Sequence, residues 1–383
     1  MKIIKVNGLT PIQSGMLFQY MLSNDKSSYM GTEIFELEGN INSDIFKSVL
    51  EKISDEYEVF RTNVIYDKID VPKSVVIDKR TIPFEFHKAV TDEEIKLLTY
   101  KINAEQFEKG FDIQRDSLIR LDLIVGENSS VIIFSFHHIL MDGYCAAMIA
   151  DIIMKNYGKL LGRQIENDGE YVPFSAYQDW IIIQDMSQSR EYWHEYLKDI
   201  SPVQPLELIQ FGSDRKKDVG HSSLTVEFTP SETKELLSAA AAGNATLNIY
   251  MQWLWGITLC RNFSCDKAVF GTVVSYRPAE FSNAERVLGP MINTVPVVFE
   301  CSSDIKITEQ LNAFRRSFLD SMEHSWIGLG EISKAVEDCK NLIDHLFVYD
   351  NFPEMDFGSI KENTGFQVKN FKLEERTEYA LTL

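Results

Sequence analysis

Two apolar runs, "SLIRLDLIVG" (117–126) and "SSVIIFSFHH" (129–138), are joined by the turn residues of "GENSS", and the second ends on two histidines. The pair reads as a hairpin of two strands. "ILMDG" then leads straight into a helical pattern from about 143 to 161. A strand that delivers a polar pair and passes at once into a long helix belongs in a sheet covered by helices. This junction constrains the fold more than any other stretch.

The rest of the chain mixes strands and helices in the same way. "LTPIQSGMLFQYMLS" (9–23) predicts a helix capped by Thr10, with Pro11 in its first turn. "TEIFELEG" (32–39) alternates as a strand, 42–57 reads as an amphipathic helix, and 59–67 reads as extended. Residues 73–88 carry two short strand patterns. Helix 91–110 has Thr91 and Glu94 spaced as a capping box. "ENDGEYVPFSAYQDWIIIQDMSQSR" (166–190) opens polar and turn-rich, which marks a lobe boundary. Beyond it come a strand at 222–229 and a helix started by Thr229, Pro230 and Glu232. A helix at 246–262 and strands near 268–276 and 292–299 follow. The last elements are helix 306–323 and strands near 344–350, 366–371 and 378–383. The expectation is an α/β chain of α+β two-layer lobes, with domains at 1–170 and 171–383. A length of 383 residues suits two cores better than one.

Composition narrows the function classes. A net charge of -19 gives no general attraction to nucleic acid or anionic lipid. No apolar run approaches a membrane span, and the N-terminus has no signal-peptide core. The five cysteines are an odd number without a C-x-x-C pair, which suggests reduced thiols and a cytoplasmic setting.

The His-His-Asp-Gly junction has a chemical reading. Successive strand residues face opposite ways, so one of His137 and His138 can face a cleft while the other packs. A helix that starts at Gly143 presents its N-terminus to developing negative charge. A neutral imidazole nearby could accept a proton from an attacking nucleophile. The G-x-S-x-G elbow is absent, and Cys145 reads as a small apolar residue. Adjacent strand histidines do not share one ion readily and no third ligand is spaced for it, so no metal is expected.

"HHILMDG" resembles the HHxxxDG motif of the chloramphenicol-acetyltransferase-like superfamily, and the rest of the chain is similar to the condensation domains of nonribosomal peptide synthetases. "LTPIQSGMLF" (9–18) resembles their first motif. "YEVFRT" (57–62) resembles the second, with Tyr57 where histidine is usual. "FSAYQDWI" (174–181) followed by "EYWHEYL" resembles the fourth, and "GTVVSYRPAE…LGPMINTVPVVF" (271–299) the fifth. "VYDNFP" (348–353) and "EERTEYALTL" (374–383) fit the late segments.

The resemblance implies a V-shaped pseudodimer of acetyltransferase-like lobes with a central tunnel. It implies amide-bond formation between a donor acyl or peptidyl thioester and an acceptor aminoacyl thioester. Both would arrive on the phosphopantetheine arms of carrier proteins, with an adjacent adenylation domain as a further partner and no cofactor bound by the domain itself. His138 takes the catalytic position, as base or as a positioning and stabilising group. His137, Asp142, Gly143 and Arg61 take supporting positions, with Asp142 expected to pair with Arg61. Asn293 and Ser275 fall at an inter-lobe segment lining the tunnel. His87, His194, His221, His324 and His345 match no catalytic motif and read as structural or surface residues.

The alternatives within the superfamily are an epimerization domain and a coenzyme-A-dependent acyltransferase. "LGPMINTVPV" favours condensation over the first. Related domains continue past the "YALTL" strand, so the last elements of the family domain are expected to be missing. A truncated, non-catalytic docking remnant is therefore the alternative of a different class.

Overall fold

A computed structural model describes residues 2–383 apart from 24, 40, 166–168, 201–221, 303, 337–341, 351–356 and 378. The expected helix-covered sheet is present, because its central strand is apolar on both faces. Strand β7 (Ser129–His137) pairs antiparallel with β2 (Met30–Glu38) on one side and with β6 (Ile119–Val125) on the other. Strand β5 (Phe84–Lys88) adds parallel to β6, and β13 (Gln367–Glu375) adds antiparallel to β2, giving the order β13-β2-β7-β6-β5. Ile34, Ile124, Val131 and Ile133 on one face pack against Ile95 and Ile102 of α3 (Asp92–Lys109). Phe35, Leu121, Ile132, Phe134 and Phe136 on the other face pack against α2 (Ser43–Glu56) and α4 (Gly143–Leu160). Each large side chain buried there contributes roughly 1.5–3 kcal/mol of transfer free energy.

The local starts and stops follow the sequence. Thr10 and Gln13 exchange backbone and side-chain hydrogen bonds at the head of α1 (Pro11–Ser23). Thr91 accepts from the Glu94 N–H, while the Glu94 carboxylate accepts from Val90 rather than Thr91. Residues 59–67 are not wholly extended: Glu58–Arg61 form a 3-10 turn before β3 (Thr62–Ile65). Strand β1 (Ile3–Gly8), which the sequence did not suggest, pairs with β4 (Lys73–Ile77), and β3 pairs with the other edge of β4.

The chain forms two compact units that exchange segments. One comprises Met1–Gln184, Ser275–Ile292 and Asn351–Glu378; the other comprises Asp185–Val274, Asn293–Asp350 and Tyr379–Leu383. A single cut between 170 and 171 does not describe this, because β13 completes the first unit's sheet through its hydrogen bonds to β2. The first unit also holds β8 (Val172–Pro173) and α5 (Phe174–Ile182). Later in the chain it takes in β10 (Val287–Leu288), parallel to β8, and α11 (Phe357–Thr364).

The second unit holds α6 (Ser187–Leu197), α7 (Pro230–Ala242), α8 (Leu247–Phe263), α9 (Ile307–Glu323) and α10 (Leu329–Ile332). Its sheet has the order β11-β9-β12, from β9 (Lys267–Ser275), β11 (Ile292–Glu300) and β12 (Leu346–Phe347). Trp253, Phe299, Phe314 and Phe318 form part of its core. The expected capping box of Thr229 and Glu232 opens α7. The expected strand at 222–229 forms no ladder, and Leu224, Val226 and Phe228 are exposed. The expected strand at 378–383 reduces to one bridge, with Leu346 facing Thr382. His221, residues 166–168 of the boundary segment and 351–353 of "VYDNFP" lie outside the described residues.

Candidate active site

β7 ends at His137, and residues 138–142 turn the chain into α4. The two histidines separate as the alternation requires. His137 is fully buried, with its ring edge-on to Tyr20 and close to Phe111, and its Nδ1 accepts the Ile139 N–H at 3.0 Å. Burial, and then the charge on His138, hold its pKa down to about 3, so this ring is neutral.

His138 keeps 12% of its side chain exposed, and its ring meets the edge of Phe136. Its Nδ1 lies 3.2 Å from the Met141 carbonyl and its Nε2 3.0 Å from a Glu375 carboxylate oxygen. Burial opposes a charge on the ring, but the Glu375 carboxylate more than offsets it, so the pKa rises above the ordinary histidine value. For Glu375, burial likewise acts against the charged form, and the His138 charge overcomes it, leaving the carboxyl below its usual range. Glu33, on β2 beside this pair, is pushed up to about 8 by burial and then by the Glu375 charge.

Asp142 is 1% exposed and caps α4, with Oδ1 accepting from Cys145 N at 2.8 Å. Its Oδ2 accepts from Met291 N at 2.9 Å, and the Arg277 guanidinium stands 3.4 Å away. That guanidinium also lies 4.2 Å over the Tyr144 ring and donates to the Ala284 carbonyl. The expected partner of Asp142 was Arg61; the partner is Arg277. Arg61 is buried elsewhere in the unit, and its guanidinium is used up on the carbonyls of Ser54, Asp55, Ile77 and Asp78 at the end of α2 and of β4. It supports the fold, not the motif loop. Gly143 is the first residue of α4, and burial raises the Cys145 thiol well above its usual range.

Besides the segments of Arg277, Met291 and Glu375, the first family-like segment also touches this loop, and the second and fourth stand behind it. Gln13, fully buried, donates to the Ile139 carbonyl at 2.8 Å, and Gln178 of "FSAYQDWI" donates to Gln13 Oε1 at 2.9 Å. Glu58 of "YEVFRT" accepts from the Ser175 N–H. Asn293 is not drawn into this site. It belongs to the second unit, where its amide donates to the Ser325 and Ile327 carbonyls at 2.6 Å each. Ser275 is an exposed residue at the end of β9. Glu33, Glu375 and Arg277 were missed as site residues. Arg277 and Glu375 stand inside family-like segments, but no spacing rule ties either to the histidine loop.

Two other features lie apart from the loop. Among the described residues, Glu85, His87 and Asp122 bring three potential ligand atoms together, with His87 Nε2 3.0 Å from Asp122 and Gln106 donating to the second Asp122 oxygen. That cluster sits on the α3 side of the sheet, where Asp122 is already engaged by His87 and by Gln106 of α3. A cleft of about 1110 Å³ is lined by Lys52, Tyr57, Lys155, Lys159 and Tyr171, with no part of the histidine loop.

Solved condensation domains share this fold. The first condensation domain of the calcium-dependent antibiotic synthetase, in complex with a substrate analogue, superposes with a TM-score of 0.77 at 15% identity, covering 98% of this chain and 85% of that one. The condensation domain of the Monacolin K polyketide synthase gives 0.78 at 14% identity, covering 100% and 89%. A model of the Condensation domain family matches residues 4–383, and the chain belongs to that family. Gramicidin S synthase 2 of Brevibacillus brevis is 31% identical over 388 residues, covering 98% of this chain, and tyrocidine synthase 2 of Brevibacillus parabrevis is 29% identical over 381, also covering 98%. The chain spans only 8% and 10% of the lengths of these two relatives. Among the described residues no helix is long and apolar enough to cross a membrane.

Proposed function

We propose that this domain forms an amide bond between two substrates carried as thioesters on the phosphopantetheine arms of a donor and an acceptor carrier protein. The observation that carries the reading is the His138 ring, partly exposed and held at both nitrogens beside the N-terminus of α4. The acceptor amine attacks the donor thioester carbonyl. The C–N bond forms, the carbonyl oxygen becomes an oxyanion, the C–S bond then breaks, and the amine proton ends on the leaving thiol. An α-amino group titrates near ~8, so a useful neutral fraction exists without a strong base. Positioning two tethered reactants then supplies much of the rate. In this reading His138 stabilises the oxyanion, and Asp142, tied to Arg277 and Met291, holds the loop at the helix start. An adenylation domain that loads the acceptor carrier would be a further partner.

Incubation with separately loaded donor and acceptor carriers tests this. The expected result is a carrier-bound amide that needs both carriers and the protein. Exchange of the α-proton on a single loaded carrier, with no amide formed, would assign an epimerization domain instead. An amide formed only from a coenzyme A thioester would assign a free-standing acyltransferase.

A further inference from the structure

The Met141 carbonyl can only accept a hydrogen bond, so His138 Nδ1, 3.2 Å from it, carries a proton. Nε2 faces a Glu375 carboxylate oxygen at 3.0 Å, also an acceptor when ionised. A ring with an acceptor at each nitrogen is satisfied on both sides only as the imidazolium. We propose that Glu375 is a positioning residue for His138. Its carboxylate and the Met141 carbonyl keep a proton on each ring nitrogen, so His138 meets the substrates as a fixed cation and not as the base that removes the amine proton. This rests on the amide-forming reading for its chemistry but not for its geometry.

The register explains the contact. Glu375 on β13 faces Gly31 on β2, and Gly31 faces Phe136 on β7, so all three stand on one side of the sheet with His138 just past the strand end. Gly31 leaves the Phe136 ring the space it fills, since a Cβ there would lie 2.5 Å from it. The titratable groups facing the ring are Glu375 on β13, Glu33 on β2, His137 on β7 and Asp142 at the start of α4, the last engaged by Arg277. Glu33 is held mostly neutral below about 8, which leaves Glu375 as the counter-charge of the ring. The raised His138 pKa and the lowered Glu375 pKa agree with this division.

A cation stabilises the oxyanion by its charge and loses that ability on deprotonation. The rate should therefore fall as pH rises through the His138 midpoint, when the acceptor amine is one that stays neutral throughout. A base would give a rate that rises through the same midpoint.

Nitrogen NMR of the full chain labelled at histidine reads the charge state directly. At about pH 7 both His138 nitrogens should show imidazolium shifts, and Glu375→Gln should lower the midpoint by about one unit or more, equal to a tenfold change in the protonation constant. Glu375→Asp, which keeps the charge, should restore most of the midpoint. A wild-type His138 that is neutral at about pH 7 overturns the proposal, and so does a midpoint unmoved in folded Glu375→Gln. A charged ring in a protein that makes no amide would instead sink the functional reading and leave the clamp standing.

Discussion

Asp142 and Arg277 face each other at 3.4 Å, the aspartate almost wholly buried and the arginine 13% exposed at its side chain. The same aspartate caps α4 and takes the Met291 N–H, so one carboxylate joins the histidine loop, a helix start and the 275–292 segment. Removing it leaves a partly buried guanidinium without its carboxylate and a helix cap empty. Asp142→Ala should cost roughly 3–5 kcal/mol. A double-mutant cycle in urea should give a coupling of about 1 kcal/mol or more between Asp142 and Arg277. Asp142 and Arg61 should be additive to within about 0.5 kcal/mol. Coupling to Arg61 instead would refute the assignment.

Arg61 should matter for stability rather than rate. Its fork satisfies four backbone carbonyls, which a lysine ammonium does not reproduce. Arg61→Lys should lower the urea midpoint by the equivalent of about 1–3 kcal/mol, while the folded variant keeps amide formation within a few-fold of the parent. A rate loss without a stability loss would contradict this.

Stability should depend on pH through four named groups. His137 ionises at about 3 in the fold against 6.5 ordinarily, so the unfolded chain binds the extra proton and stability falls as pH drops below about 6.5. Glu375, with its lowered value, adds to that loss below 4.5, its ordinary value. Glu33, at about 8 against 4.5, binds its proton in the folded state, so its contribution is lost as pH rises from 4.5 to about 8. His138, raised above 6.5, contributes fully below that value and loses it above. These signs place the best stability between about 4.5 and 6.5, with a falling limb above. Urea midpoints from below about pH 4.5 to above about pH 8 check it, and Glu33→Gln should flatten the falling limb.

Gly31→Ala probes the support of the His138 ring. The added methyl would meet Phe136, which packs against His138 with ring centroids 5.1 Å apart. Amide formation should drop about tenfold or more for a modest loss of stability, since a small misplacement of a reacting group is costly. The His138 ring resonances should shift. Unchanged activity and resonances would show that Phe136 does not set the ring's position.

Local chemistry made most of the elements legible. Thr10, Thr91 and Thr229 cap their helices as their spacing suggests, and the unbroken run before His137 is a strand covered on both faces. Legibility stopped at long-range pairing. β1, only six residues long, became a strand by pairing with β4, more than sixty residues away in sequence. Residues 222–229 alternate well but carry no ladder. At the site, His137 and His138 were told apart by strand alternation, and the family resemblance chose between them. Asp142 was expected to find an arginine, but two lay in similar segments, and burial at the end of α2 had already committed Arg61. Glu375 touches His138 only because β13 joins the sheet beside β2, a pairing that no short-range pattern in "EERTEYALTL" reveals.

A domain that joins two carrier-bound substrates at His138 must leave its product on the acceptor carrier. Intact-protein mass measurement of that carrier, after mixing loaded donor and acceptor carriers with the protein, reads this without an intermediate step. The acceptor carrier should become heavier by the donor acyl group. At early times the yield of His138→Ala should be lower by about 10²-fold or more, and that of Arg61→Lys close to the parent. An equal yield from His138→Ala, or from the carriers with no domain added, would overturn the assignment.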